Sequence, residues 1–183
     1  MVRILCFGDS NTYGYDPRGF FGDRYGAKDR GVDLLAKQTV HEWINAGANG
    51  GEIPRLPDGL RLLTEQQKVD ICLVMLGTND LLQGAAATEA AARMEAFLNQ
   101  LPPSMGILLV SPPPMKRGAW VPGDELVAAS IRLAEEYKLL AEKRNIPFVD
   151  TREWNIELCF DGVHFTEAGH HTFAENLRKE LRL

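Results

Sequence analysis

The chain has 183 residues and a mass of 20.4 kDa, with 45% apolar residues and a net charge of −5. This length and composition predict one folded domain over residues 1–183 and argue against a disordered chain. The acidic balance, without a basic stripe, argues against a nucleic-acid partner. The three cysteines lack disulfide or zinc spacing, and the longest apolar run (residues 71–76) is too short to cross a bilayer. We therefore expect a cytoplasmic protein with no membrane partner, unless a leader peptide has been removed.

The first half of the chain alternates strand and helix patterns. Residues 2–7 form an apolar run of strand formers that stops at the polar turn 8–12. A loop rich in glycine and aromatic residues, a short helical pattern and a brief strand from Trp43 follow, and that strand enters the glycine-rich turn 45–51. A second helical pattern ends near Lys68. The apolar positions behind the two helix predictions are Val32, Leu35, Ala36 and Thr39, then Leu60, Leu63 and Gln67.

The second half continues the same alternation. The predicted elements are a strand over residues 69–76, a helix over 88–101, a strand over 105–110, a helix over 124–145, a strand over 146–150 and a last helix capped by Thr166. Strands that alternate with helices imply crossover connections and a parallel sheet. Five strands at this length predict an α/β fold, a flavodoxin-like three-layer α/β/α sandwich with a five-stranded parallel sheet.

Small polar turns follow three of the predicted strands, at residues 8–10, 45–51 and 77–80. The carboxyl ends of parallel strands share one edge of the sheet, and ligands bind at that edge. The polar loop at residues 161–164 follows the fifth strand and is able to reach the same edge. Four turns that are distant in sequence are therefore expected to form one site.

The residues of these turns have complementary chemistry. A serine such as Ser10 becomes a nucleophile when an imidazole takes its proton, and a carboxylate holds that imidazole in the right orientation. His164, with Asp161 three residues before it, supplies both groups. A tetrahedral oxyanion needs fixed N–H donors, and the amides of Ser10 and Gly50 and the side chain of Asn79 suit that role. The plainer alternatives are that Ser10 and Asn79 only cap turns or helices and that Gly50 only provides positive φ.

The same residues carry a family resemblance. The blocks are Gly8-Asp9-Ser10, Asn45-x-Gly47-x-x-Gly50, Gly77-Thr78-Asn79-Asp80 and Asp161-x-x-His164. Their order and spacing resemble those of the SGNH (GDSL-type) hydrolases, closest to the intracellular arylesterase and acyltransferase-like branch. One departure is Gly51-Glu52, where that branch commonly has Arg-Thr. The departure is expected to affect substrate preference near Gly50.

The resemblance implies an SGNH hydrolase fold and a carboxylic ester hydrolase. It implies Ser10 as nucleophile, His164 as general base and acid, and Asp161 as the residue that orients the imidazole. It also implies Gly50 and Asn79 as oxyanion-hole donors, with no cofactor and no metal. The expected substrate is a small acetyl or short-acyl ester, cleaved through an acyl-enzyme, and a homo-oligomer is compatible with the sequence.

Three alternatives to this esterase remain open at this point. A thioesterase or lysophospholipase would use the same site. A non-catalytic flavodoxin-like binding domain would hold a phosphate or flavin in the glycine turns, although the chain has no G-x-G-x-x-G and no Walker lysine motif. A metal-dependent hydrolase would use Asp9, Asp161 and His164, a sparse ligand set without a histidine pair.

Several further residues receive secondary interpretations. Loops leaving the same sheet edge contain residues that could wall an acyl or alcohol pocket or else pack on one another, namely Phe20, Phe21, Tyr25, Pro112, Pro113, Pro114, Met115 and Trp120. The remaining histidines, His41, His170 and His171, are interpreted as surface or structural residues. Asp9 is interpreted as a turn acceptor beside Ser10, and Asp80 is given no chemical role.

Overall fold

A computed structural model of the chain describes residues 1–19, 23–55, 60–61, 64–65 and 68–182. Within this part, five strands form one all-parallel sheet in the order β2-β1-β3-β4-β5. The strands are β1 (Arg3–Gly8), β2 (Glu42–Gly47), β3 (Ile71–Met75), β4 (Gly106–Val110) and β5 (Phe148–Val149). The α/β fold with a five-stranded parallel sheet, predicted from the sequence, is confirmed.

Six helices with bounds inside the described ranges connect or follow these strands, and the described residues 60–61 and 64–65 are also helical. The six helices are α1 (Ser10–Tyr13), α2 (Gly31–Gln38), α3 (Thr78–Leu82), α4 (Ala87–Leu98), α5 (Asp124–Arg144) and α6 (Glu167–Glu180). None of these described helices combines the length and the hydropathy needed to cross a bilayer.

The central strand β3 shows why the molecule has three layers. Side chains alternate between the two faces of a strand, and β3 is apolar on both. Cys72 and Val74 belong to the core formed with α4 and α5. Leu73 and Met75 belong to the core formed with α2 and α6. The sheet therefore lies between two helical layers, and its carboxyl edge stays free for the connecting turns.

The structure differs from the sequence prediction in several local details. Helices α1 and α3 begin inside the polar turns at Ser10 and Thr78, where only turns were expected. Ala36 is exposed and Leu34 is buried, because α2 packs against α6 as well as against the sheet and its buried face is rotated accordingly. Leu63 and Gln67, used to predict a helix, lie outside the described residues.

Candidate active site

Ser10 lies where β1 ends and α1 begins. A Cβ at Gly8 would come within 2.0 Å of Thr12 Oγ1, so the turn needs a residue without a side chain there. Asp9 caps α1, because its buried carboxylate accepts the backbone N–H of Asn11 at 2.9 Å. The turn thus presents Ser10 as the first residue of a helix, where backbone N–H groups have no acceptor within the helix.

The side chains of Ser10, His164 and Asp161 form a continuous hydrogen-bonded chain. Ser10 Oγ lies 2.9 Å from His164 Nε2, although the two residues are 154 positions apart. His164 Nδ1 lies 2.7 Å from Asp161 Oδ2. All three residues are buried. The arrangement leaves the imidazole between one hydroxyl and one carboxylate, which is the geometry that proton transfer from a serine requires.

Asp161 also folds its own loop. Its Oδ1 accepts the backbone N–H groups of Val163 at 2.9 Å and His164 at 3.0 Å. Burial opposes the charge on this carboxylate, but the bonds from the His164 ring and from the two amides outweigh it, and the pKa of Asp161 lies below its ordinary value. The carboxylate is therefore held in the ionised form that an imidazolium prefers as a partner.

Asn11, which the sequence analysis treated only as a turn residue, connects the serine turn to the histidine loop. Its buried carboxamide donates to the Val163 carbonyl at 3.1 Å and accepts the Phe165 N–H at 2.9 Å. These bonds hold the backbone on both sides of His164. The only sequence signal for this role was the position of Asn11 next to Ser10.

Gly50 and Asn79, the predicted oxyanion donors, approach the same place from two other turns. Gly50 has a φ of +69°, and, apart from Gly50 and its two chain neighbours, none of the described residues has a heavy atom within 4 Å of where its Cβ would be. Asn79 lies in the first turn of α3 and donates one Nδ2 hydrogen to the Gly51 carbonyl at 3.0 Å. A carboxamide nitrogen carries two hydrogens, so a second one is available for a ligand.

Asp80 gives the glycine turn a second attachment that the sequence did not indicate. This carboxylate is fully buried, and it accepts the Ile53 N–H at 3.0 Å and the Arg93 guanidinium at 3.0 Å. Together with the bond from Asn79 to Gly51, it ties the start of α3 to the segment that follows Gly50. The position of the predicted oxyanion donors therefore depends on this buried ion pair.

The second-block residues Asn45 and Gly47 have a packing role. Asn45 donates to the Thr12 carbonyl at 2.8 Å and accepts the N–H of Gly47 at 3.0 Å. A Cβ at Gly47 would lie 2.2 Å from the backbone nitrogen of Tyr13. The glycine thus allows β2 to approach α1 closely and keeps the Gly50 turn near Ser10.

A cavity of about 290 Å³ opens over these groups. It is lined by Ser10, Tyr15, Asn49, Gly50, Asn79, Trp120 and His164. Four of the five predicted site residues thus share one cavity, and the fifth, Asp161, lies behind His164. Tyr15 and Asn49 were missed by the sequence analysis.

The residues suggested as pocket walls do not all line the cavity. Trp120 lines the cavity, as suggested. Tyr25 is buried and donates its hydroxyl to the Phe165 carbonyl at 3.1 Å, and Met115 is buried in the core between β3 and α5, so both pack inside the protein. Phe20 and Phe21 lie outside the described residues.

Burial shifts the pKa values of two other side chains near the site, Asp9 and His170. Burial raises the pKa of Asp9 to about 6, against the lowering effects of the Asn11 amide, His164 and Thr78. Burial lowers the pKa of His170 to about 3, and its ring packs against Tyr25 and Phe165. His170 therefore stays neutral inside the core at physiological pH.

The ligand set of the metal alternative is already engaged in other bonds. Both ring nitrogens of His164 have protein partners, and Asp9 accepts the Asn11 amide. In the described part of the chain, no three His, Cys, Asp or Glu side chains gather as metal ligands. His164 and Asp9 therefore already have hydrogen-bond partners within the protein.

A larger apolar groove, of about 410 Å³, lies at the opposite edge of the sheet. It is lined by residues at the amino ends of the strands and by the residue that follows α6, including Val2, Ile4, Ile71, Gly106 and Leu181. None of the predicted site residues is among the described residues that line it. The predicted residues that line a cavity do so at the carboxyl edge.

Comparison with known proteins gives one family and many similar structures. A model of the GDSL-like lipase/acylhydrolase family matches residues 6–172. No match was found among curated proteins.

Three solved structures illustrate the likeness. A carbohydrate acetylesterase family member from Sinorhizobium meliloti is 27% identical, with a TM-score of 0.85 over 100% of this chain and 98% of that one. The M. smegmatis aryl esterase is 28% identical, with a TM-score of 0.83 over 100% and 99%. A putative arylesterase from Agrobacterium tumefaciens, 24% identical with a TM-score of 0.84 over 100% and 99%, shows the shared fold.

Proposed function

Because the chain belongs to the GDSL-like lipase/acylhydrolase family, and is thereby a carboxylic ester hydrolase, we propose that it is a serine esterase acting through an acyl-enzyme. In this proposal Ser10 is the nucleophile, His164 is the general base and acid, and Asp161 orients the imidazole. The observation that carries it is the chain of contacts at 2.9 and 2.7 Å that joins these three side chains. Capping alone would require no imidazole on the Ser10 hydroxyl.

The first half of the reaction transfers the acyl group to the protein. Ser10 Oγ attacks the ester carbonyl carbon while its proton passes to His164 Nε2. The negative charge on the carbonyl oxygen is stabilised by the N–H groups of Ser10 and Gly50 and by Asn79 Nδ2. His164 then returns the proton to the oxygen of the departing alcohol as the carbon–oxygen bond breaks, and the acyl group remains on Ser10.

The second half repeats these steps with water. His164 Nε2 takes a proton from a water molecule, whose oxygen attacks the acyl carbon of the acyl-Ser10 ester. The same N–H donors stabilise the second tetrahedral intermediate. The bond between the acyl carbon and Ser10 Oγ then breaks, Ser10 Oγ takes the proton back from His164 Nε2, and the free acid departs. Asp161 stays ionised throughout, in keeping with its lowered pKa.

The size of the cavity supports small substrates. About 290 Å³ of space must hold the acyl group and the start of the alcohol above Ser10. Two of the neighbours above 25% identity are described as a carbohydrate acetylesterase family member and an aryl esterase, and the first of these names refers to an acetyl group. We therefore propose acetyl and other short-acyl esters as substrates.

The test is intact-mass analysis after incubation with a fluorophosphonate probe, which reacts with activated serines. The parent is expected to gain one adduct and Ser10→Ala none, while His164→Ala is expected to react far more slowly. Ser104→Ala, which changes an exposed serine in the loop before β4, should label like the parent. A folded parent without an adduct, or an adduct retained in Ser10→Ala, would rule out Ser10 as the nucleophile.

A further inference from the structure

Trp120 stands at the mouth of the cavity with half of its surface exposed. Its ring meets the His164 imidazole edge-on, with centroids 5.1 Å apart and an interplanar angle of 80°. Tyr15 contacts the same imidazole, with centroids 4.7 Å apart. A single exposed aromatic side chain is common on protein surfaces, but this one lines the cavity and contacts the imidazole of the predicted base.

The backbone beside Trp120 is joined directly to the loop that carries His164. The Trp120 N–H donates to the Asp161 carbonyl at 3.0 Å, and the Lys116 N–H donates to the Gly162 carbonyl at 3.0 Å. A Cβ at Gly162 would lie 2.0 Å from the Lys116 oxygen, so the two segments are in backbone contact. The Trp120 ring is therefore held at a set distance from the imidazole by the same backbone that places His164.

The position of His164 in the reaction determines which part of the ester meets Trp120. His164 Nε2 returns its proton to the oxygen of the leaving alcohol, so the first carbons of that alcohol must lie against the imidazole. The carbonyl oxygen points instead towards Gly50 and Asn79. Groups that contact the imidazole within the cavity consequently lie on the alcohol side of the substrate.

We propose that Trp120 determines the specificity for the alcohol part of the ester. Its indole contacts the alcohol and favours alcohols that carry a ring next to the ester oxygen. This inference rests on the proposed function, since it needs His164 to be the proton donor. A phenyl ring in the alcohol gains contact area and a favourable quadrupole interaction with the indole, whereas a methyl group in the same position gains little. Tyr15 lines the cavity on the same, alcohol side of the substrate.

The experiment compares kcat/KM for three esters in the parent and in Trp120→Leu. Phenyl acetate and methyl acetate differ only in the alcohol, whereas phenyl acetate and phenyl butyrate differ only in the acyl group. Trp120→Leu is expected to lower the phenyl-to-methyl ratio by roughly tenfold and to leave the acetate-to-butyrate ratio within about twofold. Trp120→Phe, which keeps an aromatic ring, is expected to recover most of the phenyl-to-methyl ratio.

Phe160→Leu is the matched control. Phe160 is an exposed aromatic residue, 65% accessible, on the segment that pairs with the backbone of Ala119, and it is not among the described residues lining the cavity. Both ratios should equal those of the parent in this variant.

Two results would overturn the inference while leaving the esterase intact. One is an equal loss for phenyl and methyl acetate in Trp120→Leu, which would indicate a structural role alone. The other is a change confined to the acetate-to-butyrate ratio, which would place Trp120 on the acyl side. If the parent cleaves no ester and takes no fluorophosphonate, the proposed function itself fails, and this inference fails with it.

Discussion

Asn11 holds His164 in place by bonding to the backbone on either side of it. The carboxamide donates to the Val163 carbonyl at 3.1 Å and accepts the Phe165 N–H at 2.9 Å. Asn11 follows Ser10 directly, so one short segment carries the predicted nucleophile and sets the position of its predicted base. The bonds of Asn11 therefore help to set the distance between Ser10 and His164, although these two residues are 154 positions apart.

Changing Asn11 is expected to reduce turnover more than substrate binding. Asn11→Leu has a similar branched shape and removes both bonds, whereas Asn11→Asp keeps the acceptor for Phe165 and places a carboxylate oxygen against the Val163 carbonyl. Displacement of a catalytic group by about 1 Å costs about 10²-fold in rate. We expect kcat for an aryl acetate to fall by about tenfold to a hundredfold in both variants, with KM within about threefold of the parent.

Asn99→Asp makes the same chemical exchange at the C-terminus of α4, where Asn99 bonds the Arg144 guanidinium. It is expected to alter stability slightly and to leave kcat unchanged. If Asn11→Leu turns over like the parent, or changes only KM, then Asn11 does not position His164.

Asn79→Ala tests the predicted oxyanion hole. The charged oxygen exists only in the transition state and the intermediate, so loss of a donor should lower kcat and leave KM nearly constant. Removal of one such donor costs about 10²–10³-fold in kcat in other enzymes. Steady-state kinetics on a chromogenic acetyl ester measure the effect, with thermal unfolding as the check that the variant is folded. A loss in kcat below about threefold would exclude Asn79 as a donor.

The Asp80–Arg93 pair is expected to support both stability and activity. Asp80 is fully buried, so Arg93→Met leaves a carboxylate whose charge has lost its cationic partner, at a cost of about 3 kcal/mol in the free energy of unfolding. Because Asp80 also binds the Ile53 N–H, the segment after Gly50 should loosen and kcat should fall. Denaturant unfolding and ester kinetics on the same preparation measure the two effects.

Glu89→Gln is the control for that experiment. Glu89 contacts the same guanidinium from the exposed side at 2.5 Å, and exposed ion pairs contribute less than about 1 kcal/mol. The variant should therefore resemble the parent in both assays. Equal destabilisation by Arg93→Met and Glu89→Gln would mean that the bond to buried Asp80 contributes no more to the free energy of unfolding than the exposed pair with Glu89.

The sheet was predictable because its evidence is local. The run at residues 71–76 is apolar at every position, which requires burial on both faces, and the polar turns after three strands mark the edge where the site lies. The helices α1 and α3 were missed because four or five residues do not complete the periodicity from which a helix is recognised. Their first residues, Ser10 and Thr78, are of types that are equally common in turns.

The contacts that complete the site were not predictable from local patterns. Nothing in the chain around Trp120 indicates that its backbone pairs with Asp161, because the pairing depends on how two loops leave the sheet. The same holds for Tyr15, whose ring reaches His164 only after the turn at Gly14 reverses the chain. Asp80 was left without a role for the same reason, since its partners are 13 and 27 residues away.

Asp9 predicts an unusual dependence of stability on pH. Burial raises its pKa from 3.8 to about 6, so between about pH 4 and pH 6 the folded protein keeps a proton that the unfolded chain releases. The contribution of this group to the free energy of unfolding is therefore full below about pH 4 and is lost as the pH rises through 6. Two pKa units correspond to about 3 kcal/mol, an upper figure for the cost at neutral pH.

Asp9→Asn cannot ionise and keeps an oxygen that can accept the Asn11 amide, so it is expected to be more stable than the parent at pH 7–8 and equal to it near pH 4. Urea unfolding at intervals from pH 4 to pH 8 measures the difference. Asp161→Asn provides a contrast of opposite sign, because the pKa of Asp161 is lowered and its contribution is present above its unfolded value and lost as the pH falls. That variant should lose stability at neutral pH. A difference between Asp9→Asn and the parent that stays constant from pH 4 to pH 8 would show that Asp9 ionises alike in the folded and unfolded chain.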